Sequence, residues 1–309
     1  MAAACGALLG SAPKDPRRSG PYQSAQGSHD KEGIWMSAVA RTTSAESASA
    51  EGSYLFDAAW DQETERLRAN EALWDEGTFV RLERLGVGEG WSCLEVGAGQ
   101  GSVAHWLAGR VGPGGRVVAA DLDVDALSEV ARPPLEVRRL DVRTDELPAD
   151  TFDLVHARMV LQHLKDPETV VRRLVGTLKP GGRIFLEDTD ALTLFRSAVA
   201  EDFLKDVHTA AYTVMEQTGY SMRGGHFDHR AALRCGLEDV SAEGRAVMVQ
   251  GGSLRARMYV LWLEYLRPKL IAQGLLTSGR IDEAVRAMND PSNHWLSQVL
   301  ISTYGRRPA

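Results

Sequence analysis

The residues with the clearest chemistry lie in one short stretch, Glu95-Val-Gly97-Ala98-Gly99-Gln-Gly101. Glycine at alternate positions permits positive φ and lets a ligand lie against bare backbone. A helix beginning at the turn adds free N–H groups. Ser102 stands where the dinucleotide pattern G-x-G-x-x-G requires its last glycine, so that pattern fails. Glu95, two residues before the first glycine, is costly to bury without a partner. A cationic ligand solves that problem and a pyrophosphate makes it worse. Asp121 follows Gly97 by 24 residues. An acid about 20 residues past such a turn suits a ribose diol, which donates two hydroxyl hydrogen bonds to it.

Other polar groups cluster further on, in His156-Ala157-Arg158 and Gln162-His163. An imidazole titrates near neutrality, which makes His163 a candidate general base. Glu187, Asp188 and Asp190 read as caps and as contacts to a second ligand. His208, His226 and His229 lack a trustworthy metal-ligand spacing. Cys5, Cys93 and Cys235 are too far apart for a metal cluster and suggest reduced thiols in a cytoplasmic protein.

The elements that position these residues follow in order. Cys93–Val96 reads as a buried strand, and Val103, Trp106, Leu107 and Val111 as the face of the helix after the glycine turn. Further strands are expected at Arg116–Ala120, Leu135–Leu140, Phe152–His156 and Arg183–Glu187. Helices are expected at Ala126–Ala131 and from Asp166-Pro167 to Leu178. This βαβ alternation implies an α/β fold, a parallel sheet with helices on both faces. Ligands bind at the carboxyl ends of such strands. Glu95, Asp121, Asp141, His156 and Glu187 all fall there, so they are expected on one rim.

At these residues the chain resembles the class I S-adenosylmethionine-dependent methyltransferases, whose first motif is E/D-x-G-x-G-x-G. The resemblance runs from about Gly77 to Arg196 and includes the Leu178-Lys-Pro-Gly-Gly182 turn before the fifth strand. It implies a Rossmann-like, seven-stranded, mostly parallel sheet with an antiparallel last strand. N-terminal helices and a helical insertion after strand five accompany it. It implies S-adenosyl-L-methionine as cofactor and a small-molecule acceptor. The implied cofactor-binding set is Glu95, Gly97, Ala98, Gly99, Gly101, Asp121, Leu122, Asp141, Val142, His156, Ala157, Arg158 and Gln162, with Asp141 on the adenine amino group. Gln162 alternatively orients the acceptor. His163 is the first candidate for catalysis, and no metal is implied. The N-terminal helices and the insertion are similar to those of small-molecule methyltransferases of bacterial specialised metabolism, which implies O-, N- or prenyl C-methylation. The other readings are a non-catalytic cofactor-binding scaffold and a nicotinamide oxidoreductase.

Residues 1–52 are Ala-, Ser- and Gly-rich and read as a flexible arm, with one short helix near Ile34–Val39 and a route to homo-oligomers. Met36 is an alternative start. Residues 53–86 read as two cover helices, in which Tyr54, Phe56, Trp60 and Trp74 are candidate pocket walls. Residues 87–309 form the methyltransferase domain, with the insertion at 191–235. In the insertion Tyr212, Tyr220, His226, Phe227 and His229 are candidates for the acceptor pocket, and Gly219–His229 reads as a mobile loop. Leu237–Val249 carries one or two strands. Ser253–Leu276 and Ile281–Met288 read as helices, and Trp295–Tyr304 as a last strand. The net charge of -7 disfavours a broad nucleic-acid surface. No apolar run reaches the roughly 18–20 residues of a membrane span.

Overall fold

A computed structural model describes residues 56, 59–198, 200 and 202–309. The expected arm at 1–52, its short helix and Tyr54 lie outside the described residues.

The centre is β1 (Ser92–Val96), whose last four residues are buried. Parallel neighbours flank it, β2 (Arg116–Asp121) on one side and β4 (Phe152–Arg158) on the other. With β3 (Leu135–Arg139), β5 (Leu178–Asp190), β6 (Glu238–Arg245) and β9 (Val299–Arg306), the sheet order is β3-β2-β1-β4-β5-β9-β6. β9 is antiparallel to both β5 and β6. The reversal between β1-β2-β3 and β4-β5 opens a crevice beyond the carboxyl end of β1, where the glycine turn lies.

Helix α1 (Glu63–Arg84) precedes β1. It is one helix where two were expected. Gly77 does not break it, because the Arg245 guanidinium fills the space where a Cβ would stand and Nη2 donates to Trp74 O at 2.9 Å. Acids in the first turn and bases in the last suit the helix dipole. Helices α2 (Ser102–Val111), α3 (Asp125–Val130) and α4 (Pro167–Thr177) complete the alternation. Asp166 caps α4 by accepting from Thr169 N, with Pro167 in the first turn.

The insertion holds α5 (Lys205–Glu216) and α6 (Gly224–Arg234). Half of the expected Gly219–His229 loop is therefore the start of α6. The α7 helix (Leu254–Ala272) begins at a Ser253 cap and α8 (Ser278–Asn289) at a Thr277 cap. The expected last strand is divided. His294–Leu296 forms β8 and pairs with β7 (Met248–Gln250) in a second small sheet. The chain turns at Ser297, whose N–H donates to Val247 O and whose hydroxyl accepts from Val247 N, and β9 starts at Val299. Trp295 thus joins the helical core.

Three apolar clusters result. One lies on each sheet face; the third joins α1, the insertion, α7 and α8 above the carboxyl edge. Among the described residues no helix is long and apolar enough to cross a membrane.

Candidate functional site

Gly97, Gly99 and Gly101 have φ of 68°, 54° and 87°, so the turn after β1 needs glycine at each. They do different work. A Cβ at Gly97 would meet Val160 Cγ2 at 2.3 Å, and one at Gly101 would meet Leu127 Cδ1 at 2.4 Å. A Cβ at Gly99 would find nothing nearer than Leu67 Cδ2 at 4.0 Å. The bare backbone at Gly99 faces open space.

Asp121 holds this turn to β2. Its Oδ2 accepts from Gly99 N at 2.8 Å and its Oδ1 from Leu122 N at 2.7 Å. Burial raises its pKa and these N–H groups oppose the rise. Asp141 is paired with Arg143 at 2.8 Å, which holds its carboxyl below the usual range.

Beneath the turn runs a buried polar chain. His156 Nδ1 is 2.6 Å from Glu95 Oε2, and its Nε2 is 3.4 Å from Glu187 Oε2. Glu187 also accepts from Thr78 and Ser302 at 2.6 Å each. Burial opposes charge on His156, but the two carboxylates outweigh it and raise the imidazole to about 9. Burial likewise opposes charge on Glu187; His156, Arg158 and Ser302 prevail and hold it low. Arg158 donates to Asp75 at 2.8 Å and to Thr78 at 3.0 Å, which ties α1 to the end of β4.

Above the turn is a cavity of about 940 Å³. Its first half is walled by Glu95, Gly97, Ala98, Gly99, Asp121, Leu122, Asp141, Val142 and Arg158. Its second half is walled by Phe56, Tyr212, Tyr220, Tyr259, Trp262 and Tyr265, with Gln162 and His163 between the two.

Gly101, His156 and Ala157 are outside that wall. Gly101 starts α2 against Leu127. The structure also corrects the expected rim. β4 runs on to Arg158 and β5 to Asp190, so His156 and Glu187 lie inside their strands, buried. Asp188 accepts from Gln162 N at 2.7 Å; Asp190 caps a 3-10 turn at Ala191–Thr193 and pairs with His226 at 3.0 Å. None of Glu187, Asp188 or Asp190 lines the cavity. Trp74, His226, Phe227 and His229 do not either, and Trp60 instead packs edge-on against Tyr265. Among the described residues no group of His, Cys, Asp and Glu could hold a metal ion.

The His163 ring meets Tyr220 edge-on at 5.1 Å. Burial, with Arg66 nearby, lowers its pKa to about 3. That leaves the imidazole neutral at physiological pH, part-exposed in the cavity wall. Sequence reasoning missed Glu63, Arg66, Asn70 and Glu71 of α1. Their signal was a polar stripe at helical spacing, facing a cavity where a solvated face is the usual reading. Glu63 and Arg66 pair with each other at 2.6 Å, nearly buried.

A parallel sheet with this order, an open glycine turn after β1 and an acid ending β2 defines the class I methyltransferase fold. Residues 94–184 match the family model described as a methyltransferase domain. The chain is 32% identical over 123 residues to the ubiquinone/menaquinone biosynthesis C-methyltransferase UbiE of Idiomarina loihiensis, covering 37% of this chain and 47% of that protein. It is 31% identical over 179 residues to methyltransferase GfsG of Streptomyces halstedii, covering 53% and 60%. The chain thus spans about half the length of the curated relatives it matches. Among solved structures, phosphoethanolamine N-methyltransferase 2 of Haemonchus contortus, in complex with S-adenosylhomocysteine, superposes with a TM-score of 0.51 at 18% identity, over 81% of this chain and 58% of that one. YcgJ of Bacillus subtilis gives 0.51 at 15%, over 76% and 99%. At such identities these structures speak for the fold alone. Over residues 94–184 the chain carries a methyltransferase domain, set in the fold that the class I S-adenosylmethionine-dependent methyltransferases share.

Proposed function

We propose that the chain is an enzyme that transfers a methyl group from S-adenosylmethionine to a small-molecule acceptor. The observation that carries this reading is the single cavity. It joins an open glycine turn, ringed by Glu95, Asp121 and Asp141, to an aromatic chamber. Asp121 faces the ribose in this reading, Asp141 the adenine and Glu95 the charged amino-acid end. Acids around bare backbone fit a cationic nucleoside and oppose a pyrophosphate. When bound, S-adenosylmethionine supplies a methyl group already activated on a sulfonium.

The chain's own part is then to position the acceptor and to exclude water. The α1 helix is fixed over the crevice by the Arg158 contacts to Asp75 and Thr78, and with α7 it closes the chamber. Six aromatic side chains suit an apolar acceptor. A small-molecule acceptor accords with the resemblance to UbiE, a C-methyltransferase of ubiquinone/menaquinone biosynthesis. The net charge of -7 and the separated cysteines support a cytoplasmic enzyme with no nucleic-acid partner.

Thermal denaturation with S-adenosylhomocysteine or NAD tests the cofactor. S-adenosylhomocysteine is expected to raise Tm at concentrations where NAD does not. A rise with NAD alone would overturn the reading.

A further inference from the structure

Gln162, only 5% exposed, stands between the two halves of the cavity. Its Oε1 meets Thr189 N at 2.9 Å and Thr189 Oγ1 at 2.8 Å. A backbone N–H can only donate, so the atom it meets is the amide oxygen. That fixes which way the amide is turned. The Thr189 hydroxyl has one proton, and it goes to Gln162. Tyr220, 3.0 Å from the same hydroxyl, must therefore donate to it. The chain of donors runs from Tyr220 through Thr189 to Gln162, and the amide cannot turn over without breaking it.

The backbone holds the side chain as firmly. Gln162 N donates to Asp188 at 2.7 Å, and Gln162 O accepts from Ser221 N at 2.7 Å. Gly224 comes so close that a Cβ there would lie 2.5 Å from Gln162 Cβ. Both hydrogens of Nε2 remain. Unlike the indole nitrogens of Trp74 and Trp295, Nε2 is not sealed from its surroundings without a partner. Its remaining exposure is to the cavity that Gln162 lines.

Glu63 and Arg66 pair with each other, and Asn70 Nδ2 meets Met159 Sδ at 3.3 Å. Gln298 offers a second amide, but its Oε1 is held by one bond, from Tyr259 at 2.6 Å, against the two that fix Gln162. We propose that Gln162 determines specificity, its fixed amide donating to a carbonyl-type oxygen on an uncharged, largely apolar acceptor. The proposal rests on the reading of this cavity as a methyl-transfer site. A buried donor left without a partner is penalised, so an acceptor lacking that oxygen is selected against.

The test uses two uncharged probes of similar shape, 2-acetylnaphthalene and 2-ethylnaphthalene. Each is titrated by calorimetry into the full chain saturated with S-adenosylhomocysteine. The wild type is expected to bind the ketone about tenfold more tightly than the hydrocarbon. Gln162→Glu can keep both Thr189 bonds while replacing the donor with an acceptor, and the preference is expected to vanish or reverse. Tyr220→Phe releases Thr189 and is expected to narrow the ratio. Equal binding of the two probes by the wild type, binding of neither, or a preference that survives Gln162→Glu would overturn the proposal. So would a fall of tenfold or more in S-adenosylhomocysteine affinity in Gln162→Leu, because it would put the amide on the cofactor. If the wild type fails to bind S-adenosylhomocysteine, the methyl-transfer reading fails on its own, and the two probes, titrated without it, still decide the role of Gln162.

Discussion

Glu95 and His156 face each other across neighbouring parallel strands, paired in the β1–β4 register and joined at 2.6 Å, with exposures of 2% and 0%. The carboxylate expected to meet a ligand cation is thus already paired with a cation of the chain itself. The pairing offsets its cost of burial only in part, since burial still holds the Glu95 carboxyl above its usual range, and the crevice gains a rigid floor. Any contact from Glu95 to the amino-acid end of the cofactor comes in addition to that pairing.

Removing the imidazole therefore tests stability. The folded pKa of His156 is about 9, above its ordinary 6.5. The ion pair contributes fully below about 6.5 and is lost as pH rises through about 9. Wild-type Tm is expected to fall between about pH 7 and pH 9.5 by more than that of His156→Gln. At neutral pH that variant should be less stable by about 3–5 kcal/mol, the range for breaking a buried pair. Denaturation curves across pH measure both. Parallel pH dependence in the two proteins would show that His156 does not titrate with folding.

Asp121 gives a test of the cofactor half. Both oxygens accept backbone N–H bonds, from Gly99 and Leu122. An asparagine would present its NH₂ to one of these donors in either orientation. Asp121→Asn is thus expected to be no milder than Asp121→Ala. Each should weaken S-adenosylhomocysteine by about 1–3 kcal/mol in calorimetry. Unchanged affinity in both variants would remove Asp121 from the cofactor site.

A second buried pair joins α6 to β5. Asp188 and Asp228 are each 1% exposed, and neither oxygen of Asp228 nor Oδ1 of Asp188 has a hydrogen-bond partner. Burial raises both, Asp188 to about 7 and Asp228 well beyond the usual range. An acid whose pKa is raised by folding stabilises fully below its unfolded pKa of about 4. That contribution is lost as pH rises through about 7. Asp228→Asn substitutes a neutral donor for the second acid. It is expected to flatten the fall in Tm between about pH 5 and pH 8, and to raise Tm at pH 8 by about 2–4 °C. A variant as pH-sensitive as the wild type would show that this pair does not carry the effect.

The order of strands and the glycine turn were legible because each depends on local pattern. Apolar runs of strand length alternate with helical spacing, and glycine at 97, 99 and 101 marks positive φ. The partners of the polar groups were not legible, since they depend on register. Nothing in His156-Ala-Arg158 tells that β4 continues to Arg158 and draws the imidazole inside beside Glu95. Trp295 was misplaced for a similar reason: its alternation suits a strand, and only Ser297 bonding to Val247 shows where one strand ends and another begins. The chamber combines α1, the insertion and α7, three segments far apart in sequence, so no single window contained it.

His163 supplies the remaining test. From sequence its imidazole was a candidate base, on the strength of a free pKa near neutrality. Burial in the cavity wall lowers it to about 3, where it is neutral at pH 7 and a weak proton acceptor. Loss of a working general base typically costs about 10²–10⁴ in rate. His163→Gln is therefore expected to slow methyl transfer by less than about tenfold, with no limb near pH 6.5 in the wild-type pH–rate profile. Release of S-adenosylhomocysteine, measured from pH 6 to 9 with a turned-over acceptor, reads both. A loss of about a hundredfold or more, together with such a limb, would restore His163 as the base and show that ligand binding raises its pKa.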